Sequence, residues 1–218
     1  FSTKESVLTN LDVNIYNENL IQDGLVMYSQ FSPYLATGVI DKYGNEIWNG
    51  GESDFLINHI NEFGNMYGFG VDDYPNQTGT QLNYDHDIIW TAPEGTAVDI
   101  HEIKQLPNGN YMGFVPIFEQ GPIAQGDWSF LFQITGYAAD GVTNEFPWAG
   151  MSIVEWDKDT REEVWVWNPF NHFTMEDYDA FGGTWLSAYN YLNYDWVHTN
   201  AFYFDQSDSA IYMSHRHL

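Results

Sequence analysis

The chain has 218 residues, with 31 acidic side chains against 6 basic ones, a net charge of −25 at pH 7 and no cysteine. That balance argues against nucleic acid and anionic membranes as partners, because both call for basic surface. The missing cysteines exclude disulfides, zinc–thiolate sites and thiol catalysis. Aromatic residues make up 18% and apolar residues 44% of the sequence, so the acid is the solvated surface of a core-forming chain and not a disordered tail. No apolar run approaches the ~18–20 residues that a membrane-spanning helix needs.

In chain order, residues 1–22 are polar and Asn-rich and read as a lead-in or the end of an upstream β domain. From residue 23 onward, period-two apolar runs bounded by Gly, Asn and Asp dominate: Gly24–Ser29, Gly38–Asp41, Thr96–Ile103, Tyr111–Phe118, Met151–Trp156 and Glu163–Trp167. Val, Ile, Tyr, Phe and Trp fill them, as strands prefer. Two local features lie between the early runs. Asp72-Asp73 pairs carboxylates of the kind that hold Ca²⁺ but lacks EF-hand spacing, and Asn76-Gln77-Thr78 is a glycosylation sequon in a turn-like setting. Residues 119–149 break the pattern and read as an irregular blade or inserted loop, with turns at 119–122 and 138–141 and one strand over 127–135. The strongest expectation of a short helix falls on Thr174–Phe181.

The strands repeat. His59 follows Trp48 by eleven residues and precedes a turn at 62–65, and His101 follows Trp90 by eleven and precedes the Pro107-Asn108-Gly109-Asn110 turn. These histidines are 42 residues apart, inside the ~40–45 of a four-stranded propeller blade. A third copy opens at Glu155–Trp167 and reaches its histidine, His198, after an insertion. The fold expected is therefore all-β: a β-propeller of four-stranded antiparallel blades over residues 23–218, with His59, His101 and His198 at one register facing one axis. At this blade length the chain supplies only part of a ring. A homo-oligomer, or further sequence of the same protein, is the expected cover for the open edges.

The last 24 residues hold the most pointed chemistry. Asp195-Trp196-Val197-His198-Thr199-Asn200 leads into a strand, 205–208 forms a turn, and the return strand ends in His215-Arg216-His217-Leu218. In an antiparallel hairpin, His198 and Asn200 share a face and Arg216 comes level with them. An imidazole, an amide and a guanidinium then converge on a small oxyanion.

The D-W-x-H-x-N segment, the hairpin and the S-x-R-H ending, with the earlier Asp99–Asn110 stretch (D-I-H-E-I-K-Q-L-P-N-G-N), resemble the bacterial arylsulfate sulfotransferase family over residues 24–218. The resemblance implies a six-bladed propeller after a small β domain, of which this chain is an incomplete portion, and a periplasmic or extracellular setting. It implies sulfuryl transfer from an aryl sulfate to a phenol through a sulfated histidine, with no nucleotide donor, cofactor or metal. His198, Asn200 and Arg216 would hold and polarise the sulfate and His101 would assist as donor or acid. The family's nucleophilic histidine belongs to a later blade, beyond Leu218. The other reading of the same residues is a non-catalytic extracellular propeller used for binding or assembly.

Overall fold

A computed structural model describes residues 13–30, 36–50, 55–61, 63–70 and 78–218. The Asp72-Asp73 pair, Asn76 and Gln77 of the sequon, and most of the 1–22 lead-in lie outside those residues. The chain divides into two compact units, 1–103 and 104–218.

In the first unit, β1 (Leu25–Gln30), β2 (Ala36–Asp41) and β3 (Glu46–Asn49) form one antiparallel sheet in sequence order. A second antiparallel sheet follows in the same manner: β4 (Phe55–Ile60), β5 (Met66–Gly70), β6 (Thr78–Leu82) and β7 (Ile88–Thr91). The two sheets share a core, where Met27 and Trp48 of the first pack against Phe55, Met66 and Leu82 of the second. Polar bonds tie them as well, with Thr37 Oγ1 donating to the Phe55 carbonyl at 2.5 Å and Ile57 N–H to Ser29 Oγ at 3.1 Å.

In the second unit, β8 (Ile103–Gln105, at the boundary), β9 (Tyr111–Pro122), β10 (Asn144–Trp156) and β11 (Glu163–Trp167) again run as an antiparallel meander. A short β12 (Tyr194–Asp195) joins β10 in parallel. The hairpin of β13 (Thr199–Asp205) and β14 (Ala210–His215) lies on the face of this sheet. Phe202 packs there with Leu106, Met112, Phe114 and Ile153, its ring edge-on to Phe114 at 5.3 Å. The β9 and β10 strands run past the meander and, with α1 (Ser129–Ile134) and α2 (Gly182–Tyr191), enclose a second, aromatic core around Phe132, Phe146, Trp148, Trp185, Tyr194 and Trp196.

The repeat rests on one turn used four times. In the hairpins starting at Asp41, Asn61, Asn83 and Leu106, the first residue's N–H reaches the carbonyl four residues on, and its carbonyl accepts from the residue three on. That fourth position has positive φ every time, at Gly44, Gly64, His86 and Gly109, a conformation glycine adopts without steric cost. Asp41, Asn61 and Asn83 reinforce their turns by accepting two backbone N–H bonds on Oδ1, as Asx turns do.

The chain is thus mostly β in antiparallel sheets, as expected, and among the described residues no sheet closes on itself. Several local expectations are corrected. Residues 96–102 are not a strand; β8 begins only at Ile103. The expected turn at 119–122 is the continuation of β9, paired through Phe118–Ala149 to Pro122–Asn144. Residues 127–135 carry α1 rather than a strand. The helix expected at 174–181 forms at 182–191 instead: Asp179 accepts from Phe181 N–H at 2.8 Å in an Asx-type turn and from Thr184 Oγ1 at 2.6 Å, which holds the chain non-helical up to Phe181. The common histidine register also fails. Asn61 and Leu106 open identical turns, so counting back two places matches His59 with Lys104, not with His101.

Candidate functional site

A cavity of about 880 Å³ opens in the second unit. One wall is α2, whose Thr184, Ser187, Ala188 and Tyr191 recur at helical spacing. The opposite wall comes from the two ends of the terminal hairpin: Asp195 and His198 before β13, Arg216 and His217 after β14. Antiparallel pairing brings these ends together, with Thr199 opposite His215 and Arg216 N–H donating to the His198 carbonyl at 3.1 Å.

His198 sits just ahead of β13 with φ of 42°, a left-handed conformation that costs a non-glycine residue about 1–3 kcal/mol. Its Nδ1 is held by an Asp195 carboxylate oxygen. His217 donates its Nδ1–H to the Asp195 carbonyl at 2.7 Å, and the two imidazole centroids are 5.0 Å apart. One aspartate therefore orients both rings. Asp179 completes the floor. Burial alone would raise its carboxyl, but the Thr184 hydroxyl, the Phe181 N–H and nearby His217 hold it below the usual carboxylate range. Charge on the walls is thus two carboxylates against one guanidinium, with two imidazoles between them.

The structure brings together two of the four residues singled out in the sequence, His198 and Arg216. Asn200 is not among the cavity residues. The pairing of β13 with β14 shifts register between Thr199 and Ala201, and this bulge breaks the period-two alternation that would have placed Asn200 beside His198. His101 belongs to the first unit, in the bend before β8, where its Nδ1 meets Asp99 Oδ1 at 2.5 Å and Asn58 Nδ2 donates to its carbonyl at 3.3 Å. The aspartate–histidine pairing thus occurs just upstream of both β8 and β13. His59 stacks on Tyr67 at 5.7 Å, and His172 lies flat on Trp167 at 5.2 Å. Trp196 is fully buried and donates Nε1–H to the Asp177 carbonyl at 2.6 Å, so it serves the core and not an aryl ligand. Sequence reasoning missed Asp195 and Asp179 as orienting groups, gave His217 no role, and missed the whole α2 wall. The spacing of Thr184, Ser187, Ala188 and Tyr191 was the available signal.

Beneath the cavity rim, His215 packs edge-on to Phe173 at 5.8 Å, and its Nδ1 lies 2.9 Å from Thr199 Oγ1. Burial pushes this imidazole below the ordinary histidine range. The unfolded chain then binds a proton at higher pH than the folded one. Stability contributed by neutral His215 is present above the unfolded value of about 6.5 and is lost as pH falls toward the depressed one. Urea midpoints taken between pH 7.5 and 5.5 should drop for the wild type and drop less for His215→Gln. Equal slopes would assign the pH dependence to other groups.

No protein-family model matches the chain, and no curated protein gives a significant match.

Proposed function

We propose that the cavity between α2 and the terminal hairpin binds an aryl sulfate, and that the protein is an arylsulfate sulfotransferase-like enzyme working outside the cytoplasm. The observation that carries this reading is the joint presence of Arg216 and the Asp195-oriented His198 on one cavity wall. Arg216 supplies a planar fork for sulfate oxygens. An imidazole whose Nδ1 is fixed by a carboxylate presents its other nitrogen in a set direction, as a donor to the sulfate or as a base toward the phenol. Tyr191 and Phe181 on the helix side give an aryl ring something to pack against.

The fold reading goes with it. Within each unit, consecutive antiparallel sheets lie face to face, and the same hairpin turn recurs from sheet to sheet. Both features suit successive blades of a propeller, with β9–β10 and the helices as an elaborated blade edge.

The displacement of Asn200 from the cavity favours the second reading, a module that binds the anion without transferring it. Transfer from p-nitrophenyl sulfate to phenol separates the two. The enzyme reading expects release of p-nitrophenolate that depends on phenol. It also expects the rate to fall in Arg216→Lys by about 10- to 100-fold, the cost of losing a bond to a charged group. No transfer, with sulfate-ester binding intact, would leave the binding module.

A further inference from the structure

Asp195, His198 and His217 have a chemistry that anion binding does not use. Each offers one donor atom, and the three atoms lie within 4.8 Å of one another. We propose that these residues form a site for a divalent first-row transition metal of the zinc class, with its open coordination position facing the cavity and Arg216.

Three observations support this. First, the ligand types are right. Two imidazoles and a carboxylate match zinc and its neighbours, whereas Ca²⁺ and Mg²⁺ take oxygen donors. Second, the rings are already oriented. A metal-binding histidine commonly donates its other N–H to a carbonyl or carboxylate. His217 does so to the Asp195 carbonyl, which leaves Nε2 as its donor atom. His198 Nδ1 lies against the Asp195 carboxylate, so those two ligands are already neighbours. Third, the charge is right. Asp179 and Asp195 outnumber Arg216 on the cavity wall, in a chain whose net charge is −25. A tetrahedral site with bonds of about 2.0–2.1 Å places its donors roughly 3.3 Å apart, so closure requires modest side-chain rotation about an ion. The residues come from both ends of the hairpin, so the ion would also cross-link residues 195–198 to 217.

Three protein ligands leave a fourth position for water or substrate, as in catalytic rather than structural zinc sites. A bound cation would reverse the local charge and give a sulfate ester a second positive partner beside Arg216. That last consequence rests on the anion reading; the metal site itself does not.

The test uses untagged, chelator-treated full chain titrated with ZnCl₂ by calorimetry, and with CoCl₂ by visible absorption. One equivalent of Zn²⁺ should bind, and Co²⁺ should give the intense visible bands of a low-coordinate site. His217→Ala should weaken Zn²⁺ by at least the about 10- to 100-fold that loss of an outer-sphere partner alone produces. Asp195→Asn should weaken it as well, with circular dichroism confirming the fold of both. Absence of saturable binding, or equal affinity in wild type and His217→Ala, would overturn the site. Affinity of the chelated protein for p-nitrophenyl sulfate is measured alongside. Failure of zinc with that affinity retained removes the metal alone, whereas loss of both removes the proposed function too.

Discussion

Replacing Trp185 by alanine should destabilise the second unit by about 3–5 kcal/mol, the usual cost of emptying a fully buried tryptophan site. Trp185 has no exposed surface. Its ring stacks on Tyr194 at a centroid distance of 4.0 Å and on Trp128 at 5.8 Å, and it meets Trp148 and Phe132 edge-on. It is also the largest of the α2 residues set in the aromatic core, beside Ala188 and Tyr189, so its loss should loosen the helical wall of the cavity. Hydrogen exchange is the suitable probe, because two compact units need not unfold together. Amides of α2 and of the paired ends of β9 and β10 should lose protection while those of β4–β7 keep theirs. Leu186→Ala, one residue along but 47% exposed, should change stability by no more than about 0.5 kcal/mol. Similar exchange in the two variants would contradict this role for Trp185.

Gly68→Ala should be nearly as damaging in the first unit. A Cβ at this position would lie 1.8 Å from the Leu56 carbonyl oxygen and 2.8 Å from its carbon. Both are backbone atoms, so no rotamer change relieves the clash, and β4 and β5 must part where they are paired. Overpacking costs typically about 1–3 kcal/mol, and a backbone collision in a central strand belongs at the upper end. Gly70→Ala is the internal control: it lies on the same strand with nothing within 4 Å of its Cβ. Urea denaturation followed by exchange in β4–β6 should separate the two variants clearly. Equal midpoints would mean that the strand accommodates a methyl group at Gly68.

What could be read from the sequence follows from how locally each feature is determined. Hairpins at 41–45, 61–65 and 106–110 were legible because each turn is set by its own Asp, Asn or Gly. The helices were not. Gly182-Gly183 looks like a break, while the residue that decides where α2 begins, Asp179, acts through side-chain bonds that spacing does not reveal. In α1 only Phe132 is buried, which leaves no helical stripe to detect in six residues. The site was half legible. His198 and Arg216 meet because they flank an antiparallel hairpin, a matter of pairing. Asn200 was misplaced by a bulge, and the one-register histidines by a strand that begins later than its apolar run. Asp195 meets His198 three residues on, at the same end of the hairpin, whereas His217 acquires its role only through its contact with the Asp195 carbonyl across the two ends.

The central claim is that the wall formed by His198 and Arg216 recognises a sulfate ester, and its most direct test is calorimetric titration of the full chain with p-nitrophenyl sulfate. The account predicts saturable binding at one site. Affinity should be reduced by about 1.5–3 kcal/mol in Arg216→Lys, where the charge remains but the bidentate fork is lost, and reduced as well in His198→Ala. Binding that is absent in the wild type, or unchanged in both variants, would contradict it.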